Sequence, residues 1–376
     1  MDVSLFDYIK WRGDLTFDKV FFNEIDAIIF SMLSYINFNG IVSADFNKNG
    51  ITLEQAANDF FYAEDVLKRS DTGLLFNKEL LELLKLCASS ARFKNVQLCG
   101  FVDSTDIAKE KQFAAFTAVL EDGTNVVAFR GTDDSIVGWK EDFNMSFTTP
   151  VPSQKDALAY VKDVAKQLPG KIRIAGHSKG GNLSVFAATF CPDKIKRRIL
   201  GVYNSDGPGF EYDITQLEEF RQIADKIHTF IPQTSIVGVL LEHEEDYIVV
   251  KSNENGIMQH NPFSWQLDGP AFVTLDKLSH QGQIIDRTIK DWLKKMDKIQ
   301  REKFVDALFE LLTSSDAKTF SELAEIWTKN PAGALRSLLS LDEETRHIVW
   351  KALQQLFKTA RHNLPMLSDF LNRSHT

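Results

Sequence analysis

The sequence of 376 residues has few cysteines, no excess of basic residues and no long apolar run. Its three cysteines, Cys87, Cys99 and Cys191, lack the short paired spacing of a metal site. We therefore expect reduced, buried thiols rather than a disulfide framework. The 43 lysine and arginine residues and the 52 aspartate and glutamate residues give a net charge of -9. This balance argues against nucleic-acid binding, which requires a basic surface.

No apolar run approaches the roughly 18 residues of a membrane span. Residues 1–8 do not show a basic stretch followed by an apolar one, which a secretory signal would have. We therefore expect a soluble, cytoplasmic protein. The 29 phenylalanines greatly outnumber the seven tyrosines, which predicts an aromatic-rich core.

The pattern of apolar residues divides the chain into three regions. Residues 1–90 are predicted to form a helical segment packed on a core, residues 91–283 a core of alternating strands and helices, and residues 284–376 a second helical region. The predicted strands are 96–102, 112–120, 125–130, 172–175, 198–205, 226–231 and 247–251, with helices over 152–168 and 215–224. This alternation predicts an α/β fold with a mostly parallel central sheet, helices on both faces, and helical extensions at both ends.

The sequence Gly-His-Ser-Lys-Gly at residues 176–180 stands between a predicted strand and a predicted helix. This is the context of a G-x-S-x-G nucleophile elbow, in which a sharp turn exposes the serine hydroxyl above the sheet. Gly181 adds a third glycine to the pattern. We interpret Ser178 as a catalytic nucleophile, and the alternative is a tight strand–helix turn without chemistry.

A serine hydroxyl needs a histidine base that is oriented by a carboxylate. In elbow-type hydrolases the chain order is serine, acid, histidine. His260 lies in the loop after the predicted strand 247–251 and is the favoured base. His243, in an acidic segment, is the second candidate. His228 lies inside a predicted strand and is a weak candidate for the base.

The acid is harder to assign. Its usual place follows the strand 226–231, where this chain has Ser235 and no carboxylate. Asp206 follows the preceding strand and reaches the same edge of the sheet, although an aspartate there also suits a Gly-Pro turn. Asp246 and Asp268 remain alternatives.

Ester hydrolysis also needs hydrogen-bond donors for the oxyanion. One is the backbone N–H of the residue after the nucleophile, here Lys179. The second comes from a loop after an earlier strand, and Thr132 follows the strand 125–130 with both an N–H and a hydroxyl. Taken alone, the segment around Thr132 also fits an ordinary polar turn. This chemistry requires no metal and no organic cofactor.

Residues 126–132, with Phe-Arg-Gly-Thr at the end of an apolar strand, are followed by a Trp and an Asp within residues 138–142. Together with residues 176–181 they resemble the oxyanion segment and elbow of the class 3 lipases of the α/β-hydrolase superfamily. The resemblance implies an α/β-hydrolase fold with Ser178 as nucleophile. It also implies Thr132 and Lys179 as oxyanion donors. The chain departs from that family where its acid would stand.

Four further segments resemble the less characterised, bacterial Mbeg-like proteins of the same superfamily more closely. They are residues 6–14, 206–210, 241–247 and 259–265. This resemblance extends over nearly the whole chain and implies no particular substrate.

Together these patterns predict a serine hydrolase that cleaves a small-molecule or lipid ester through Ser178, His260 and Asp206. No segment is recognisable as a lid, so carboxylesterase and lipase action are both open. The alternative is a binding or regulatory protein with a hydrolase fold and weak or lost catalysis. The missing acid at Ser235 favours that alternative, and so do the helical flanks, since the C-terminal helices offer a surface for a protein partner.

Overall fold

A computed structural model describes residues 3–46, 50–70, 77–241, 245–313, 317–319, 322–323 and 343–363. The α-helices are α1 (Leu5–Arg12), α2 (Glu24–Leu33), α3 (Leu53–Tyr62), α4 (Val66–Arg69), α5 (Asn77–Ser89), α6 (Ile136–Asn144), α7 (Pro152–Gln167), α8 (Lys179–Phe190), α9 (Asp193–Lys196), α10 (Glu218–Arg221), α11 (His280–Lys294), α12 (Lys298–Leu312) and α13 (Glu343–Asn363). The strands are β1 (Ile51–Thr52), β2 (Gln97–Asp106), β3 (Lys111–Val119), β4 (Asn125–Phe129), β5 (Ile172–His177), β6 (Ile199–Ser205), β7 (Ile227–Pro232), β8 (Tyr247–Val250), β9 (Leu267–Asp268), β10 (Ala271–Phe272) and β11 (Thr274–Leu275).

Nine strands form one sheet in the order β1-β2-β3-β4-β5-β6-β7-β8-β11. Strands β4 to β8 are parallel, and β1 to β3 continue the sheet from β4 as antiparallel neighbours. At the other edge β11 pairs antiparallel with β8. The β3–β4 hairpin turns at Gly123, whose φ of 78° is the left-handed conformation that glycine adopts without strain. The predicted α/β fold is confirmed, with parallel strands at the centre of the sheet and antiparallel strands at both ends.

The residues of β4 alternate between the two faces of the sheet, as a strand's geometry requires. Val126 and Ala128 belong to an apolar cluster with the N-terminal helices, and Val127 and Phe129 to a second cluster with α7 and α8. Both layers are rich in buried phenylalanines, as the composition predicts.

Helix α2 lies on the sheet, against β5, and nine of its ten residues are buried. It begins at Asn23, whose side chain accepts hydrogen bonds from the N–H groups of Ile25 and Asp26. Asp26 forms a fully buried ion pair with Arg92, with Nη2 and Oδ2 2.5 Å apart. Tyr8 of α1 donates a further hydrogen bond to Asp26 at 3.0 Å. These contacts join α1 and α2 to the segment between α5 and β2.

The helices after residue 279 pack on one another and on α6. Phe304 and Phe309 of α12 share an apolar cluster with Ile136 of α6 and Ala352 of α13. Lys140 of α6 adds ion pairs to Glu110 and Asp306 at 2.7 and 3.1 Å. Helix α6 is therefore held between the sheet and the C-terminal helices.

The prediction of a single helix over 215–224 is wrong. Leu217 has an extended backbone, with φ -78° and ψ 138°, and separates a 3-10 turn over Ile214–Gln216 from the short helix α10. Elsewhere, the three cysteines are buried and unlinked. Within the described residues, no helix combines the length and apolar character needed to cross a membrane.

Candidate active site

Ser178 lies between β5 and α8 in a conformation that is unusual for a residue with a side chain. Its φ of 58° and ψ of -133° are unfavourable for a residue with a side chain, so the surrounding structure must stabilise this backbone conformation. One stabilising contact is the hydrogen bond that the Ser178 N–H donates to Ser205 O at 2.9 Å. A Cβ atom on Gly176 would lie 2.1 Å from Gly180 O, and one on Gly180 would lie 2.2 Å from Phe129 O. The two motif glycines therefore permit the close packing of a strained turn, as in a nucleophile elbow.

His260 and Asp206 meet at the same edge of the sheet. Asp206 follows β6, is fully buried, and lies with its Oδ2 2.6 Å from His260 Nδ1. The other oxygen, Oδ1, accepts hydrogen bonds from Ser235 Oγ at 2.5 Å and from the N–H of Gly238 at 3.1 Å. Ser235, which occupies the usual position of the acid, instead holds the carboxylate of Asp206 in place.

The other candidates for base and acid have different surroundings. His228 is half-buried in β7 and stacks on Tyr203, with ring centroids 5.3 Å apart. Asp246 and Asp268 are exposed. His243 lies outside the described residues. Of the predicted base and acid residues, the described structure brings together His260 and Asp206.

His260 also packs beside the elbow. Its ring centroid lies 4.5 Å from that of His177, the residue before Ser178. Among the described residues, no hydrogen bond within 3.5 Å joins the Ser178 hydroxyl to His260.

Thr132 and Lys179 each offer a backbone N–H near the elbow. Lys179 is the first residue of α8, where an N–H has no acceptor within the helix. Thr132 follows β4, and its hydroxyl donates to Asp142 Oδ2 at 2.5 Å. Burial raises the pKa of Asp142 to about 6, against the opposing influence of Lys179 and Thr132. The hydroxyl of Thr132 is therefore engaged with Asp142.

The side chain of Lys179 is buried and reaches residues of β3 and α6. Its Nζ donates to Gln112 O at 3.0 Å and to Glu141 Oε2 at 3.2 Å, and lies 3.6 Å from Asp142 Oδ1. Glu141 is fully buried and also accepts hydrogen bonds from the N–H groups of Gln112 and Ser153. This ion pair ties α8 to α6, and the sequence patterns did not predict it.

Tyr35 and His177 are two further residues at the site that the sequence analysis missed. Tyr35 Oη lies 3.0 Å from His177 Nδ1, and His177 Nε2 lies 2.8 Å from the carbonyl oxygen of His260. Burial and the nearby His260 lower the pKa of His177 well below 6.5. Because Tyr35 lies 142 residues from His177 in the chain, no local motif signals this contact.

The 3-10 helix Gly256–His260 carries two partly exposed apolar side chains. Ile257 is 53% exposed and Met258 is 38% exposed. Within the described ranges, no group of three or more histidine, cysteine or acidic residues has the arrangement of a metal site.

A family model described as Mbeg1-like matches residues 87–310, more than half of the chain. Among solved structures, the M37 lipase is 15% identical with a TM-score of 0.34, over 58% of this chain and 69% of that one. A triacylglycerol lipase from Penicillium expansum is 12% identical with a TM-score of 0.29, over 50% of this chain and 87% of that one. No curated protein matches the sequence.

Proposed function

The chain belongs to the Mbeg1-like family, and from this premise we propose that it is a serine hydrolase that cleaves carboxylic esters. The observation that carries the proposal is the 2.6 Å contact between His260 Nδ1 and the buried carboxylate of Asp206, beside the elbow of Ser178. A carboxylate at Nδ1 fixes the imidazole tautomer and stabilises its protonated form. His260 Nε2 is then free to act on the serine hydroxyl.

In the proposed reaction, Ser178 Oγ attacks the ester carbonyl carbon while His260 Nε2 takes the hydroxyl proton. The N–H groups of Thr132 and Lys179 donate to the oxyanion of the tetrahedral intermediate. When the intermediate collapses, the carbon–oxygen bond of the ester breaks and His260 protonates the leaving alcohol. A water molecule, deprotonated by His260, then hydrolyses the acyl-enzyme and restores the serine.

The proposed substrate is an ester with an apolar acyl group. The support is Ile257 and Met258, which expose apolar surface in the same 3-10 helix as His260. Such side chains bury apolar groups of a ligand at little desolvation cost. A series of p-nitrophenyl esters from acetate to palmitate would establish the preferred acyl length.

Labelling with a fluorophosphonate probe tests the proposal, because the probe phosphonylates an activated serine. We expect wild type to be labelled and Ser178→Ala to be unlabelled. Ser184→Ala is the matched control, because Ser184 is buried in the same helix and donates to Gly180 O at 2.8 Å. It should be labelled like wild type. Folded wild-type protein that is not labelled would contradict the proposal and favour a binding or regulatory protein with a hydrolase fold.

A further inference from the structure

We propose that Tyr35 and His177 are positioning residues that couple residues 130–132, here called the oxyanion segment because they hold the proposed donor Thr132, to the loop carrying His260. The inference rests on the proposed function, since it assigns these two residues to the support of the same site. It makes the N-terminal helical segment a structural part of the proposed active site, because Tyr35 lies two residues after the end of α2.

The hydrogen bonds between these residues run in one direction. The His260 carbonyl oxygen only accepts, so His177 Nε2 carries the proton and donates to it at 2.8 Å. A neutral imidazole then has Nδ1 as an acceptor, and Tyr35 Oη donates to it at 3.0 Å. Gly131 packs closely against the tyrosine oxygen, since a Cβ atom added to it would lie 2.1 Å from Tyr35 Oη. One chain of contacts therefore links Gly131, beside Thr132, to the backbone of His260.

Burial holds both side chains in the protonation states that this chain requires. Tyr35 and His177 are 2% and 1% exposed. Burial raises the pKa of the Tyr35 hydroxyl, which therefore stays a donor. Burial also lowers the pKa of His177 well below 6.5, so the ring stays neutral with a single N–H. The direction of the hydrogen bonds is thus fixed across the pH range of ordinary assays.

The packing around Gly131 shows how closely the parts approach. A Cβ atom at Gly131 would lie 2.1 Å from Tyr35 Oη, 2.6 Å from His177 O and 2.9 Å from Ser178 Cβ. Tyr35, the elbow and the oxyanion segment are therefore in direct contact. Without the tyrosine hydroxyl, His177 Nδ1 would lose its partner in a buried environment and a gap would open beside Gly131, which makes a shift of residues 130–132 or of the loop carrying His260 favourable.

Tyr35→Phe removes the hydroxyl and keeps the ring. We expect kcat on a p-nitrophenyl ester to fall roughly 10- to 100-fold, the scale of effect that a displacement of about 1 Å has on a reacting geometry. KM should change much less, because the hydroxyl does not contact substrate. Tyr8→Phe is the matched control, since Tyr8 is a buried tyrosine of the same segment whose hydroxyl binds Asp26 instead. We expect it to retain wild-type turnover.

Two substitutions at His177 separate its hydrogen bond from its bulk. His177→Gln places a side-chain N–H near the position of Nε2 and preserves a donor to the His260 carbonyl. His177→Leu fills similar space without any donor. We expect the glutamine variant to retain more turnover than the leucine variant, and equal losses would contradict the positioning role.

Hydrogen exchange of the backbone amides in residues 253–266 provides a readout that does not depend on activity. Exchange there should be faster in Tyr35→Phe than in wild type and unchanged in Tyr8→Phe. Unchanged exchange in Tyr35→Phe, or turnover equal to that of Tyr8→Phe, overturns the inference. If wild type is inactive and unlabelled, the proposed function fails on its own, and the exchange measurement alone decides whether the coupling exists.

Discussion

Replacing Asp206 by asparagine should leave His260 in the wrong tautomer. The Gly238 N–H can only donate, so the asparagine must keep its carbonyl oxygen at the position of Oδ1, where Gly238 and Ser235 donate. Its NH₂ group is then directed at His260 Nδ1, which lies 2.6 Å from Oδ2 in the wild type. A donor in that place requires Nδ1 to accept, and the ring proton moves to Nε2. An imidazole protonated at Nε2 cannot take the proton of Ser178.

The expected loss in kcat for Asp206→Asn is about 10³- to 10⁴-fold, as for other aspartate-to-asparagine changes in such triads. This corresponds to about 4 to 5.5 kcal/mol of transition-state stabilisation. KM should change little, because the carboxylate lies behind the imidazole and does not contact substrate. Steady-state kinetics with a p-nitrophenyl ester measure both constants, and thermal unfolding verifies that the variant is folded.

Asp246→Asn and Asp268→Asn are the matched controls, because both carboxylates are exposed and both were alternative acids. Each should retain nearly wild-type turnover. Near-normal activity in Asp206→Asn, together with a collapse in Asp246→Asn, would refute the assignment of the acid.

Two further predictions concern buried charge. The pKa of Asp142 is raised from 3.8 to about 6 on folding, so this carboxyl keeps its proton to higher pH in the folded state than in the unfolded state. The wild type should therefore lose stability relative to Asp142→Asn as the pH rises from 3.8 to about 6. Urea unfolding of both proteins from about pH 4 to about pH 7 measures this difference, and a constant difference would contradict it. Asp26→Ala leaves the buried guanidinium of Arg92 uncompensated and should cost about 3 to 5 kcal/mol in the free energy of unfolding. The exposed Asp18→Ala should have no measurable effect on the same urea curve, and equal losses in the two variants would count against the argument.

Features that depend on chain order and strand ends could be predicted from the sequence. The glycines around Ser178 signal a strained turn, and the carboxyl ends of parallel strands converge at one edge of the sheet. That reasoning selected Asp206 and His260, which the structure brings within hydrogen-bond distance. Their catalytic roles stay predictions. The same reasoning noted the absence of a carboxylate at Ser235, but it did not predict that the serine donates to Asp206.

The remaining parts of the site depend on tertiary packing and carry no local signal. Tyr35 reaches His177 only because α2 packs on β5. Lys179 and Glu141 likewise lie on two different helices, α8 and α6. The number of residues between them in the sequence does not show that these helices are neighbours. The prediction of one helix over 215–224 was wrong for a local reason. The residue types there do not show that the backbone of Leu217 is extended.

Helix α2 covers part of one face of the sheet, and this limits how far the protein can be shortened for expression. The family match begins at residue 87, inside α5, and ends at residue 310, inside α12. A fragment with those limits would lack α2 and uncover the apolar sheet face on which it lies, including Ala128 and Ala175. An exposed apolar surface of that kind promotes aggregation. Recombinant work on this protein should therefore retain the N-terminal helices, even though the matched segment alone contains every residue of the proposed triad.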